Sequence, residues 1–179
     1  MKTLKILLLL FLFVFASCSS VRVVTDYDKE ANFDNYSSFA YYKPGIDKAQ
    51  ISELDKKRIL RAIETELVAK GLTKTQDPDL LISIFTKERE RIDVYNNYYG
   101  YGWGWNPWWY GGYYGGYVSS STEGILYIDI IDTKSNSLIW QGIGTSKLIT
   151  SSNIEKKEER IRKIVNEILA KYPPGIENK

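Results

Sequence analysis

The sequence predicts an α+β domain. Its core is a mixed, mostly antiparallel sheet of about five strands, with two amphipathic helices on one face and a long disordered loop rich in aromatic residues and glycine. Three observations carry this. Leu126, Ile128 and Ile130 alternate with Ile125, Tyr127 and Asp129, the period of two that marks a strand with one buried face. Ile59, Leu60, Ile63 and Leu67 recur at helical spacing, and so do Ile161, Ile164, Val165, Ile168, Leu169 and Tyr172. Two such stripes cover one face of a sheet and leave the other open, which is the α+β arrangement.

The chain opens with Lys2 and Lys5, an unbroken apolar run from Ile6 to Ala16, and then Ser17-Cys18. A bilayer-spanning helix needs about 20 apolar residues, so this shorter run reads as a secretory signal. Phe15-Ala16-Ser17-Cys18 resembles the bacterial lipobox, with Phe15 where that pattern prefers Leu. The resemblance implies cleavage before Cys18, the only cysteine in the chain, and its acylation. Ser19-Ser20 follow in place of the Asp that resembles an inner-membrane retention signal, which implies the outer membrane in a host with two membranes; the domain is expected to face the periplasm. The expected organisation is a signal peptide over 1–17, a lipidated tether over 18–22 and one domain over 23–175.

Composition then narrows the functions. Loss of 1–17 leaves 162 of the 179 residues, enough for one domain with a real core. Lys2 and Lys5 leave with the signal, so 24 basic against 22 acidic residues becomes 22 against 22. A neutral chain offers no electrostatic footprint for nucleic acid. There is no histidine, and the sole cysteine is the acylation site. Histidine-based triads, Cys–His pairs and nearly all zinc sites are thereby excluded. No cofactor or metal is expected.

In order, Val21–Asp26 reads as the first strand. Asp26, Asp28 and Asp34 lack the fixed loop spacing of a calcium site and read as turn acids. Ser38–Tyr42 reads as a second strand, stopped by Pro44-Gly45. Ser52–Lys70 is a helix: Ser52 and Asp55 approximate a capping box, and Gly71 suits the C′ position. Its other face, with Lys56, Arg58, Arg61 and Glu64, reads as solvated. Leu80–Phe85 is apolar on both faces, hence a strand buried on both. Thr86–Val94 then alternates Lys87, Arg89 and Arg91 with Glu88 and Glu90, and should leave the core as one arm of a hairpin whose other arm leads into Glu123.

Residues 95–122 form the low-complexity loop. Of the 23 residues from Tyr95 to Tyr117, 12 are aromatic and seven are glycine, a density that no strand or helix period fits. Three readings stand side by side: an insertion with no ligand, adhesion to the bilayer interface, and stacking on sugar rings or aromatic partner surfaces. The candidate binding residues are Trp103, Trp105, Trp108, Trp109 and Tyr110, with Arg89 and Arg91 as polar handles. The partner in view is an envelope protein or a glycan.

Asp132–Ser137 supplies turn chemistry before the return strand Leu138–Leu148. Gly142 and Gly144 leave one face of that strand bare for a helix, against which Trp140 should be buried. Ser152-Asn153-Ile154-Glu155 reads as a capping box for the last helix, ended by Pro173-Pro174-Gly175.

Several landmarks together are similar to one family, bacterial lipoproteins carrying a single domain of unknown function. They are Asp26-Tyr27-Asp28, Asn32-Phe33-Asp34-Asn35-Tyr36, Gly71 with Asp77-Pro78-Asp79-Leu80-Leu81, Glu123–Asp132, Leu138-Ile139-Trp140-Gln141-Gly142 and Lys171–Pro174. A Gly- and Tyr-rich insertion between the third and fourth strands is also similar. The resemblance implies an α+β fold and an envelope lipoprotein, and it brings no catalytic residues. The sequence therefore points to a non-enzymatic, membrane-anchored binding or structural role. The alternative is a glycan-acting hydrolase with paired carboxylates such as Glu123 and Asp129; six residues apart on one strand, these stand about 20 Å from each other, where such chemistry needs roughly 5–9 Å.

Overall fold

The computed structural model describes residues 21–95, 117–147 and 153–175, with the backbone alone for 91–95 and 117–121. In order these form β1 (Arg22–Tyr27), a 3-10 turn (Phe33–Asn35), β2 (Ser38–Tyr41), α1 (Lys43–Ile46), α2 (Glu53–Ala69), β3 (Thr73–Lys74), β4 (Leu80–Tyr95), β5 (Tyr117–Asp132), β6 (Ser137–Lys147) and α3 (Ile154–Leu169). One open, mixed sheet runs in the order β1-β6-β5-β4-β2-β3. β1, β6, β5 and β4 are antiparallel neighbours, while β2 is parallel to β4 and β3 to β2. The fold is α+β, as the patterning predicts.

The sheet has six strands where the sequence suggests about five. The added strand, Thr73–Lys74, is too short to show a period. It forms because Gly71, at φ +91°, turns the chain out of α2 and back along β2. Thr73 N–H then donates to the Ser37 carbonyl and Thr75 N–H to the Phe39 carbonyl.

β4 and β5 pair over 16 residues each, from Leu80 opposite Asp132 to Tyr95 opposite Tyr117. Leu80, Ile82 and Ile84 of β4 and Leu126, Ile128 and Ile130 of β5 point to the helices and form the core. β2 leaves β4 after Ile82, and β6 leaves β5 at Glu123. Beyond that row the described ladder has two strands only, and this is the arm that the alternating charges predict. Leu80–Phe85 departs from expectation: Phe85 is 40% exposed. Among the described residues no helix covers the second face of the sheet, and the Phe85 ring packs there on Tyr127 at 5.6 Å. The turn after β5 uses its polar residues as expected, with Asn136 at φ 53° and Asp132 Oδ1 accepting from Lys134 N–H at 2.7 Å.

Both long helices lie on one face, side by side and running the same way. Lys157 to Asp55 (2.6 Å), Arg58 to Glu158 (3.2 Å) and Asn166 to Glu66 (3.0 Å) tie them at successive levels. Ser52 caps α2, its side chain accepting from Asp55 N–H at 3.1 Å. The cap of α3 is Asn153, not Ser152: Asn153 Oδ1 accepts from Lys156 N–H at 2.8 Å. Asn and Ser cap about equally well, so the local pattern alone allowed either start. Lys56 is not solvated, being 7% exposed, with Nζ donating to Glu53 Oε1 at 2.9 Å and to the Asp47 carbonyl at 3.4 Å. The cover comes from the chain following α1, a one-turn helix that starts where Pro44-Gly45 reads as a stop; proline suits a first helical turn.

α3 seats on the bare stripe of β6. A Cβ at Gly144 would lie 2.6 Å from Ile168 Cδ1 and 2.9 Å from Ile164 Cγ1, and one at Gly142 would collide with Ile168 and Trp140. Trp140 itself is buried, edge-on to Tyr172 at 5.4 Å. Burial pushes the Tyr172 hydroxyl pKa up to about 12, with the nearby Tyr36 adding to the shift.

Candidate functional site

The small residues of the sheet continue past the point where α3 touches it. On the helix-facing side, Gly142 and Gly144 lead to Ser146, which pairs with Gly124 of β5. With so little side chain on this stretch of floor, the helices do not close onto the sheet, and a cleft of about 720 Å³ opens at the end nearest the arm. Ile59 of α2 and Ile161 and Ile164 of α3 line its roof, and Leu126 its floor. Ile51 and Phe85 flank it where β4 has lost β2 as a neighbour. The volume lies within the ~300–1,000 Å³ range of small-molecule pockets.

The rim is charged. Lys87, Lys147, Lys157 and Arg160 line it against Asp55 and Glu88, four cations to two acids. Asp55 is already engaged: burial works to raise its carboxyl pKa, but hydrogen bonds from Lys157, Ser52 and Arg58 outweigh it and hold the group below the usual carboxylate range. Arg160 Nη1 donates to the Lys147 carbonyl at 3.3 Å, pinning α3 to the end of β6. Within the lining, Thr86 Oγ1 is buried with no hydrogen-bond partner among the described residues. Such a site can hold an apolar body with an anionic end. Among the described residues no group of three or more His, Cys, Asp or Glu is placed to hold a metal.

The open face carries the two carboxylates that the sequence pairs. Glu123 is buried, with Arg22 Nη2 at 3.8 Å and Arg89 Nη2 at 3.6 Å. Asp129 accepts from Gln141 Nε2 at 2.7 Å; burial pushes its pKa up and that hydrogen bond opposes the shift. They lie six residues apart on β5, about 20 Å along an extended strand, so neither serves the other in acid–base work. Asp26 and Asp28 accept from the backbone N–H groups of Tyr27 and Glu30, each at 2.9 Å, as turn acids do.

Arg89, read as a polar handle for the loop, is thus a partner of Glu123 at the base of the arm. Arg91 pairs with Ser121 in the ladder, and its side chain is outside the described residues. Cys18, Trp103, Trp105, Trp108, Trp109 and Tyr110 also lie outside them. Sequence reasoning missed the cleft, because Ile59, Ile161 and Ile164 each belong to an ordinary helical stripe. A signal was nevertheless present: Gly142, Gly144 and Ser146 recur at a period of two, and Ser146 pairs with another small residue, Gly124.

A family model described as a domain of unknown function, DUF4136, matches residues 23–174. The chain belongs to this family. The DUF4136 domain is similar to a PDZ domain protein from Parabacteroides distasonis, at 22% identity over 92% of this chain and a TM-score of 0.50. The chain spans 39% of the length of that protein, and the likeness is one of fold. Two PelC dodecamer structures from Paraburkholderia phytofirmans are 10% and 11% identical, with TM-scores of 0.42 and 0.47, over 84% of this chain and 95% of theirs. None of the curated proteins compared matches the DUF4136 chain.

Proposed function

We propose that this DUF4136 protein is a cell-envelope lipoprotein, held to the outer membrane through acylated Cys18, facing the periplasm and acting by binding rather than by catalysis. The observation that carries the reading is where the chain enters the sheet. β1 begins at Arg22, opposite Thr145, so Cys18 stands four residues, at most about 14 Å, from the row of the sheet that borders the cleft and the arm. An anchor at Cys18 brings that end of the domain to the bilayer. A diacylglycerol with an N-acyl chain would bury dozens of methylenes at ~0.8 kcal/mol each, an effectively permanent attachment. Among the described residues no helix is long and apolar enough to cross a membrane, and the reading requires none. The contact with an envelope protein or a glycan is assigned in this reading to the segment between the two strands of the arm, residues 96–116, with Trp103, Trp105, Trp108, Trp109 and Tyr110.

The experiment is fractionation with mass spectrometry of the mature N-terminus. The expected result is an acylated Cys18 in the outer-membrane fraction and release from that fraction on Cys18→Ala. A mature N-terminus without acyl groups overturns the anchor. Pull-down from envelope extracts, comparing the intact chain with one lacking 96–116, tests the contact surface; equal recovery of partners contradicts it.

A further inference from the structure

We infer that the cleft between the helices and the sheet is a binding site for one acyl chain of an anionic membrane amphiphile. The source argued for is a lipid of the bilayer, and that part of the inference rests on the anchored reading above; the cleft itself does not. The occupant follows from three features. The lining is aliphatic on opposite sides, with Ile59 and Ile161 across from Leu126 over a floor of Gly124 and Ser146. This shape accepts a flexible hydrocarbon chain. The charge is confined to the rim and is cationic in balance, from Lys147, Lys157 and Arg160 at the end of β6 and the start of α3. Lys157 and Arg58 both pair with Asp55, at 2.6 Å and 2.8 Å, so the cationic surplus rests on Lys147 and Arg160, with Lys87 and Glu88 adding one cation and one acid to the same rim. The parallel helices border this mouth with their first two turns, Asp55 lining it from α2 and Lys157 and Arg160 from α3. Finally, the tether enters beside the same mouth, within reach of the lipid surface. The chain's own N-terminal acyl groups would carry no anionic headgroup, so the rim favours a separate lipid molecule.

Native mass spectrometry tests this on full-length protein, processed in its host and extracted in a mild non-ionic detergent. The wild type is expected to carry one anionic lipid per chain that is present in the native spectrum and lost on denaturation. Ser146→Leu, which fills the floor, and Ile161→Glu, which charges the roof, should each lower its occupancy at least tenfold. Val24→Glu on the open face should leave it unchanged. Arg160→Glu should replace the anionic occupant with a zwitterionic or neutral one. Thermal melts of each variant establish that it is folded, and Ser146→Leu, which removes no core atom, decides the matter if Ile161→Glu is not. The inference is overturned if native and denatured masses agree, if the lipid persists in Ser146→Leu, or if the retained mass is a peptide. The denatured mass reads the covalent lipid on Cys18 separately, so a failure of the anchor and a failure of the cleft are distinguishable.

Discussion

The β4–β5 hairpin has one continuous register and two different fates along it. In the inner half, Ile82, Ile84, Ile128 and Ile130 are fully buried beneath two helices, with β6 beside β5 and β2 beside β4 as far as Ile82. In the outer half, from Glu90 and Thr122 outward, the ladder continues with the same hydrogen-bonding pattern, but β2 and β6 have both left it. Backbone pairing is therefore not what separates core from arm. An isolated two-stranded ribbon is marginal in water, and its stability comes from what it packs on. Glu123 marks the boundary, with Arg22 on one side and Arg89 on the other, and the cleft opens on the opposite face of the sheet at the same rows. The inner half makes a scaffold, and the outer half is free to carry an interaction.

If that contrast holds, substitutions should fall in a steep gradient along the hairpin. The largest effect belongs to the inner half: Trp140→Ala, on the strand beside Ile130, should cost about 3–5 kcal/mol by chemical denaturation. An unchanged midpoint would show that the helix layer does not depend on this ring. At the boundary, Glu123→Ala should cost about 1–3 kcal/mol, because it removes the buried acceptor while leaving two arginines that solvent can still reach. A cost as large as that of Trp140→Ala would move the boundary into the core.

Acidity sharpens the comparison at the inner end of the hairpin. Asp79, just before β4, accepts from the N–H and Oγ of both Ser37 and Ser38. The Ser37 backbone bond leads in holding its carboxyl below the usual range, followed by the Ser38 hydroxyl. A carboxylate with a lowered folded pKa contributes stability that is fully present above its unfolded value, about 3.9, and is lost as pH falls through that value toward the folded one. Asp55 acts in the same sense, while Asp129, whose pKa burial raises, opposes them. Thermal melts should fall on acidification below about pH 5, and Asp79→Asn should flatten that slope. A slope identical to wild type would show that the serine cluster does not hold this ionised form.

The smallest effect belongs to the arm. Replacing 96–116 with a short Gly-Ser connection should change stability by less than about 1 kcal/mol, since shortening a flexible loop gains only ~0.6 kcal/mol per halving. A drop of many degrees in the melt would make the segment part of the core and erase the distinction between the halves.

Much of this fold was legible in the residues. The alternation of Leu126, Ile128 and Ile130 located the buried face, and bare Gly142 and Gly144 located the helix that covers it. Charges from Lys87 to Glu90 showed where the core ends. What the sequence hid depends on distant neighbours. Lys56 looks like any surface lysine until the chain after α1 folds over it, and Phe85 looks like core until it proves 40% exposed, on a face that no described helix covers. Thr73–Lys74 has too few residues for a period. The cleft was hidden for a different reason: it is a gap between two correct stripes, produced where Gly124 and Ser146 fail to fill the space beneath Ile161.

The central claim is that the cleft end of the domain lies against the membrane. Lipid-borne quenchers read this directly in the anchored protein, with a fluorophore on Arg160→Cys at the cleft and, separately, on Lys134→Cys at the turn between β5 and β6. The account predicts strong quenching at position 160 and none at position 134. Equal quenching at both, or stronger quenching at position 134, would contradict it.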